Sequence, residues 1–86
     1  MYAGLRLLPS KSAARELIDC GLMIEDCKEI LELGYEPRER KKGTIEKWLD
    51  VGRKTYNVVA VKSYNFLYQE EIYFIIHVGK FTKKLR

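Results

Sequence analysis

The chain has one histidine, His77, and it falls in a strand-like segment that also carries Tyr73. Imidazole exchanges a proton near neutral pH, which makes it the side chain best suited to acid–base catalysis. Cleavage of RNA without a metal needs a base for the 2′-hydroxyl, a cation for the crowded phosphate and a proton donor for the leaving oxygen. These residue types predict His77 as acid or base, Lys62 as the catalytic cation and Tyr73 as a ring on which a nucleotide base stacks.

Basic side chains gather in the second part of the chain. Residues 1–37 carry 4 basic and 7 acidic side chains (net −3), whereas residues 38–86 carry 12 basic and 5 acidic (net +7), for +4 overall. Such a field attracts anions, of which nucleic acid is the commonest large one, although a small excess of charge is also ordinary in small domains. The predicted nucleic-acid contacts are Arg53, Lys54, Lys80, Lys83, Lys84 and Arg86. The run 38–42 (Arg-Glu-Arg-Lys-Lys) fits a phosphate contact and a solvated loop equally well.

Other kinds of catalytic chemistry lack the residues they need. With one histidine, two cysteines (Cys20 and Cys27) and no Cys-x-x-Cys or paired Cys–His spacing, the sequence offers no metal site. It also has no glycine-rich phosphate loop and no nucleophile elbow. We therefore expect no metal and no cofactor. The two thiols are expected to be small buried hydrophobes, with a disulfide between them as the alternative.

The elements around these candidates predict a single α+β domain over residues 1–86. Ser10 is a suitable N-cap for a helix over about 11–20 that ends at Gly21. Glu25 and Asp26 favour the start of a second helix over about 24–33. The predicted strands cover about 3–8, 45–51, 55–64 and 71–78, and a basic tail covers 79–86. The expected architecture is a two-helix hairpin packed on an antiparallel sheet of three to four strands.

Alternation along the last two strands assigns their side chains to two faces. The residues expected beneath the helices are Ile72, Phe74, Ile76 and Val78. Those expected on the outer face are Tyr56, Val58, Ala60, Lys62, Tyr64, Tyr73, Ile75 and His77. An apolar face of this kind usually marks a protein interface, so Tyr56, Val58 and Ile75 are predicted as homodimer contacts. Self-association and catalysis therefore compete to explain the same surface.

The helical part resembles the start of a family of small prokaryotic domains of unknown function. The resemblance lies in Ser10-Lys11-Ser12-Ala13-Ala14-Arg15-Glu16-Leu17, in Gly21-Leu22 and in Glu25-Asp26-Cys27-Lys28-Glu29-Ile30-Leu31. Family members open with Ser-Lys-His-Ala-x-x-Arg-Leu-x-x-Arg-Gly-Ile, and the segments 56–61 and 72–78 resemble their closing strands. In this chain Ser12, Glu16 and Cys20 stand at the positions of the His and the two Arg of that pattern. Serine cannot transfer a proton near neutral pH as imidazole can.

That family is distantly similar to the RelE/ParE-type toxins, in which two helices pack on an antiparallel sheet. The resemblance implies a RelE/ParE-like fold. Because the RelE branch cuts messenger RNA, it also implies a metal-independent ribonuclease, with RNA and a small acidic antitoxin-like protein as partners.

Composition leads to expectations about location and about the class of function. Charged residues make up 33% of the chain, no long apolar run occurs, and Arg6 interrupts the short apolar start. We therefore expect no membrane partner and a cytoplasmic location. Side-chain amides are few, a bias typical of heat-adapted proteins. The expected function is that of an RNA- or partner-binding domain, with ribonuclease activity left open; the alternative is a non-catalytic module that self-associates through the outer face of its sheet.

Overall fold

Two helices pack on a four-stranded sheet in the computed structural model, which describes residues 1–82. The elements are β1 (Arg6–Pro9), α1 (Lys11–Cys20), α2 (Ile24–Leu33), β2 (Thr44–Val51), β3 (Lys54–Asn65) and β4 (Glu70–Thr82). The strands lie side by side in the order β1-β4-β3-β2. The expected α+β fold, with a helical hairpin on a sheet, is confirmed.

The sheet is mixed because its first strand runs parallel to its last. β2, β3 and β4 form an antiparallel meander, as expected, whereas β1 lies parallel to β4 with Leu7 opposite Tyr73 and Pro9 opposite Ile75. The chain before β1 is not the strand predicted from residue 3. Tyr2 and Leu5 exchange two backbone hydrogen bonds of 2.8 and 2.9 Å around a tight turn, so the strand begins only at Arg6.

Both helices begin and end where local chemistry favours it. The Ser10 hydroxyl accepts from the backbone N–H of Ala13 at 3.0 Å, and Gly21 ends α1 with φ 69°. The Asp26 carboxylate accepts from the backbone N–H of Met23 at 2.8 Å and so satisfies a free donor at the start of α2. The apolar faces of the two helices supply half of a core that the sheet completes. The core residues are Leu7, Ala13, Leu17, Cys27, Ile30, Leu31, Val58, Ala60, Ile75 and Val78.

A β-bulge in β4 reverses the predicted faces of the part of the strand that precedes it. Val59 pairs with His77, but the next residue, Ala60, pairs with Ile75, so Ile76 is an extra residue without a partner in β3. The extra residue shifts the alternation by one. Consequently Ile75 and Val78, three positions apart, both lie in the core.

The prediction that Phe74 and Ile76 lie beneath the helices is therefore wrong. Their exposed fractions are 36% and 39%, and Val58, Ala60 and Ile75 are buried in the core instead. Val78 is in the core as expected, because the bulge lies before it.

The last strand is longer than predicted. β4 continues to Thr82 because Lys54 at the start of β3 pairs with it. The predicted tail is therefore strand over residues 79–82, and the remainder of that tail lies outside the described residues.

Cys20 and Cys27 are not linked. Cys27 is fully buried, and its burial raises the pKa of the thiol to about 12. Within residues 1–82, no helix has the length and apolarity needed to span a membrane.

Candidate functional site

Helix α1 lies beside the part of β4 that β1 leaves uncovered. β1 pairs with β4 only up to Ile75. The chain then turns directly into α1, and the backbone N–H of Ser10 donates to the carbonyl of Ile75 at 2.8 Å. This bond fixes the start of the helix against the strand. The exposed flank of α1 is thereby brought to the edge of β4 beyond the bulge.

Glu16 on this flank binds two consecutive residues of β4. Its Oε1 accepts from the backbone N–H of Val78 at 2.9 Å, and its Oε2 lies 3.2 Å from Nδ1 of His77. The strand edge has no other strand beyond Pro9 among residues 1–82, so the carboxylate satisfies a donor that would otherwise face solvent. The two side chains are accessible, with exposed fractions of 49% for His77 and 34% for Glu16.

The carboxylate also determines the tautomer of the imidazole. An ionised carboxylate can only accept hydrogen bonds, so Nδ1 of His77 carries the proton of this contact. In the neutral ring Nε2 is then the unprotonated nitrogen and can accept a proton from a substrate. Serine and cysteine hydrolases use the same arrangement, a histidine base whose second nitrogen is held by a neighbouring side chain.

A groove of about 650 Å³ runs along the same flank of α1. Its lining residues are Ser10, Lys11, Ser12, Arg15, Glu16 and Asp19. Lys11 and Arg15 supply cations for an anionic ligand, and the hydroxyls of Ser10 and Ser12 lie 3.3 Å apart. Lys80 adds a third cation at the end of α1, where its Nζ lies 3.5 Å from the carbonyl of Cys20. The lining thus combines two cations with the carboxylates of Glu16 and Asp19, and Glu16 links the groove to the imidazole.

The predicted catalytic trio is not assembled in one place. Lys62 and Tyr73 are cross-strand neighbours, but His77 pairs with Val59, about 10 Å further along β3. The ammonium of Lys62 lies 4.0 Å from a carboxylate oxygen of Glu71.

Tyr73 is also engaged in packing. It packs against the core, and its ring meets that of Tyr2 edge to face at 5.5 Å. Burial raises the pKa of Tyr2, and the nearby hydroxyl of Tyr73 adds to that effect. Of the three predicted residues, only His77 contacts α1, through the carboxylate of Glu16.

The predicted interface residues are mostly core residues. Val58 and Ile75 are fully buried, and Tyr56 packs against the same core, so the homodimer surface predicted from them does not exist. The bulge explains the burial of Ile75, whereas Val58 lies in the core because it pairs with Val78 beyond the bulge. The apolar side chains left accessible on β4 are Phe74, Ile76 and Phe81.

The predicted phosphate contacts that the structure describes lie towards the end of the sheet that carries the β2–β3 turn. Arg53 and Lys54 lie at the β2–β3 turn, and Nζ of Lys54 donates to the hydroxyl of Thr82 at 3.0 Å. Lys80 lies at the α1–β4 edge, beside the groove. The other three predicted contacts, Lys83, Lys84 and Arg86, lie outside the described residues.

Two acidic residues that the sequence did not single out as functional organise these surfaces. In the sequence Glu16 stands out only because it replaces an arginine of the family pattern by an acid. Nothing in the sequence relates it to His77, 61 positions away. Glu46 is buried in β2 and accepts from Nε of Arg40 at 2.9 Å and from the indole N–H of Trp48 at 2.8 Å. It thereby anchors the basic segment 38–42 to the sheet. The sequence signal for such an anchor was a glutamate two positions before a tryptophan in a predicted strand.

Comparisons of the chain with models of protein families, with curated proteins and with solved structures find no match. Within residues 1–82, no group of three His, Cys, Asp or Glu side chains is arranged to hold a metal ion.

Proposed function

We propose that this protein binds RNA and cleaves it without a metal, with His77 as the acid–base residue and Glu16 as the residue that positions it. The observation that supports the proposal is the pair of contacts made by one carboxylate, 3.2 Å to Nδ1 of His77 and 2.9 Å to the backbone N–H of Val78. The second contact holds the carboxylate in place, so it can fix the ring orientation and the tautomer. An imidazole that only filled surface space would not need this arrangement.

The chemistry requires one proton transfer in each direction. Nε2 of His77 takes the proton of a ribose 2′-hydroxyl, the 2′-oxygen forms a bond to phosphorus, and the bond from phosphorus to the 5′-oxygen breaks. The leaving 5′-oxygen takes a proton from water, and the proton on Nε2 of His77 neutralises the resulting hydroxide, which returns the ring to its neutral form. Lys11 and Arg15 in the groove, with Lys80 beside it, would stabilise the negative charge that gathers on the phosphate.

The resemblance to the prokaryotic family and to the RelE/ParE-type toxins implies the same class of function. In the family pattern the positions of Ser12 and Glu16 hold a histidine and an arginine. In this chain Glu16 on α1 instead contacts the single histidine of the sequence, which lies on β4. The imidazole therefore remains on this flank of α1 although the pattern's own histidine is absent. A small acidic antitoxin-like protein is the partner that we propose with this function.

The decisive experiment measures cleavage of a single-stranded RNA by His77→Ala, Glu16→Gln and the unchanged chain, each with and without EDTA. Glutamine keeps an oxygen for the N–H of Val78 but presents an amide N–H₂ to the ring, which then holds its proton on Nε2. We expect His77→Ala to abolish cleavage and Glu16→Gln to lower it at least about 100-fold, since a wrong tautomer disables the base. Thermal unfolding of Glu16→Gln should stay close to that of the unchanged chain.

Three results would reject parts of this proposal. Intact RNA with the unchanged chain under all conditions rejects the ribonuclease activity. Full activity of Glu16→Gln rejects the positioning role. Activity that disappears in EDTA rejects the metal-independent mechanism.

The rival function is a non-catalytic module that self-associates through the outer face of its sheet. It rests on a different set of residues from the one predicted, because Phe74, Ile76 and Phe81 are the accessible apolar side chains of β4. Sedimentation of the unchanged chain and of Ile76→Glu tests it. A dimer that Ile76→Glu converts to a monomer supports this function, and a monomer in both samples rejects it.

A further inference from the structure

The β3–β4 hairpin extends beyond the rest of the sheet. β2 begins at Thr44, opposite Val61, whereas β3 continues to Asn65 before the chain turns back into β4. The turn is ordered by its own first residue, because the side-chain oxygen of Asn65 accepts from the backbone N–H of Tyr68 at 2.9 Å. The segment 64–68 is called the hairpin tip below.

The hairpin tip carries the two most exposed large apolar side chains of the described residues. Phe66 and Leu67 have exposed fractions of 83% and 85%, and Tyr64 and Tyr68 are each 47% exposed. The rings of Tyr64 and Phe66 meet edge to face at 5.0 Å. The guanidinium of Arg6 lies 4.4 Å from the ring centre of Tyr68. Three aromatic rings, at alternate positions of the chain, thus stand in solvent with ring surface available to a ligand.

Basic residues surround the base of the hairpin tip. The backbone N–H of Lys62 donates to the carbonyl of Gly43 at 2.7 Å, which places the end of the basic segment 38–42 two residues from Tyr64. Lys41 and Lys42 are exposed, and no ion pair involves them within residues 1–82.

Two further cations at the tip are only loosely paired. Arg6 lies 3.5 Å from Glu70, and Lys62 lies 4.0 Å from Glu71. Such exposed pairs contribute little and can exchange a carboxylate for a phosphate. The surroundings of the tip therefore contain four cations and only two carboxylates.

We propose that the hairpin tip is a stacking platform for single-stranded RNA, an inference that rests on the proposed function and names where its substrate is held. Bases of a single strand stack on exposed aromatic rings, and arginine and lysine hold the phosphates between them. A protein partner would use the same apolar surface, but lysines are depleted at the centre of protein interfaces. The combination of rings with lysines favours the nucleic acid.

The position of the tip relative to His77 fits a substrate that contacts both. Tyr64 pairs with Glu71, six residues before His77 on β4, which corresponds to about 20 Å along the strand. A strand of several nucleotides covers this distance. The tip therefore binds RNA at a distance from the bond that is cleaved.

The test measures the binding of a fluorescently labelled single-stranded RNA to the full chain by anisotropy. All variants carry His77→Ala, so that the probe is not cleaved. The ring variants are Phe66→Ala, Phe66→Leu and Phe66→Tyr, and the matched control is Leu67→Ala, which removes an equally exposed apolar side chain without a ring. We expect Phe66→Ala and Phe66→Leu to weaken binding about tenfold or more, with Phe66→Tyr and Leu67→Ala near the unchanged value.

Two outcomes overturn the inference while leaving the proposed function in place. One is RNA binding that Phe66→Ala does not change. The other is a result in which Phe66→Leu binds RNA as tightly as the unchanged residue does, whereas Leu67→Ala weakens the binding. That result would indicate a general apolar contact of the kind that proteins make. Absence of RNA binding by the His77→Ala chain and by the unchanged chain at low salt rejects the proposed function itself, and the platform with it.

Discussion

Nε of Arg40 donates to Oε1 of Glu46 at 2.9 Å, and the indole N–H of Trp48 donates to the other oxygen at 2.8 Å. Burial alone raises the pKa of Glu46, but these two hydrogen bonds and the charges of Arg40 and Arg38 together hold it below its ordinary value. The folded state therefore binds this proton less readily than the unfolded state does. The stabilisation that Glu46 provides is complete above its unfolded pKa, near 4.5, and is lost as the pH falls through the lower folded value.

Glu46→Gln should lower the free energy of unfolding at pH 7 by about 1–3 kcal/mol, because charged hydrogen bonds to the arginine and the indole are weakened. The difference from the unchanged chain should stay constant above about pH 5.5 and shrink below pH 4. Urea unfolding at pH 7, 5 and 3 measures both effects. Glu39→Gln is the control, since Glu39 lies in the same loop and is exposed. Equal losses in the two variants, or a loss from Glu46→Gln that persists unchanged at pH 3, would contradict this account.

The bulge in β4 predicts opposite effects of two neighbouring isoleucines. Ile75→Ala removes a fully buried side chain and should lower the free energy of unfolding by about 2–5 kcal/mol. Ile76→Ala changes an accessible side chain at the extra position and should lower it by less than about 1 kcal/mol. Denaturant unfolding of both variants measures the difference. A larger loss at Ile76 than at Ile75 would mean that the strand has the regular alternation after all.

Cysteine alkylation should distinguish the two thiols. Burial raises the pKa of Cys27 to about 12 and excludes reagent from it, and burial also raises the pKa of the partly accessible Cys20. At pH 8 the thiolate fraction of Cys27 is then about one in 10⁴. We expect iodoacetamide to modify at most Cys20 in the folded protein and both thiols in urea, as measured by mass spectrometry. Modification of Cys27 before Cys20 in the absence of denaturant would contradict the burial.

Salt should reveal the contribution of the basic segment to the proposed RNA binding. Lys41→Gln with Lys42→Gln removes two exposed cations beside the hairpin tip. The slope of log affinity against log salt should become shallower by about 0.7 for each phosphate that the protein no longer neutralises. Lys28→Gln on α2 is the control for a loss of charge away from the tip. An unchanged slope in the double variant, measured by anisotropy between 50 and 300 mM salt, would remove these lysines from the interface.

The helices could be predicted because their signals are local. Ser10 caps the first residues of α1 with its hydroxyl, and Gly21 adopts the left-handed conformation that ends it. Asp26 provides the corresponding contact for α2. Each signal acts within four residues of the helix end, so a single sequence is sufficient to read it.

The faces of the sheet could not be predicted, because one extra residue depends on the partner strand. Residues 72–76 of β4 are all apolar or aromatic, and nothing in them marks Ile76 as the position without a partner. The contacts of Glu16 with His77 and of Glu46 with Arg40 depend on the same long-range placement. The position of His77 on an accessible surface was predicted, but its neighbours there were not.

Oε1 of Glu16, which accepts from Val78, has a role that does not involve RNA. Unpaired backbone donors at the edge of a sheet allow separate molecules to join strand to strand and to aggregate. By accepting from Val78, this carboxylate blocks that route at the strand edge beside α1. Replacing His77 leaves the block in place, whereas deleting the Glu16 side chain removes it. Glu16→Ala should therefore lose solubility at high concentration, whether or not the protein has the proposed activity.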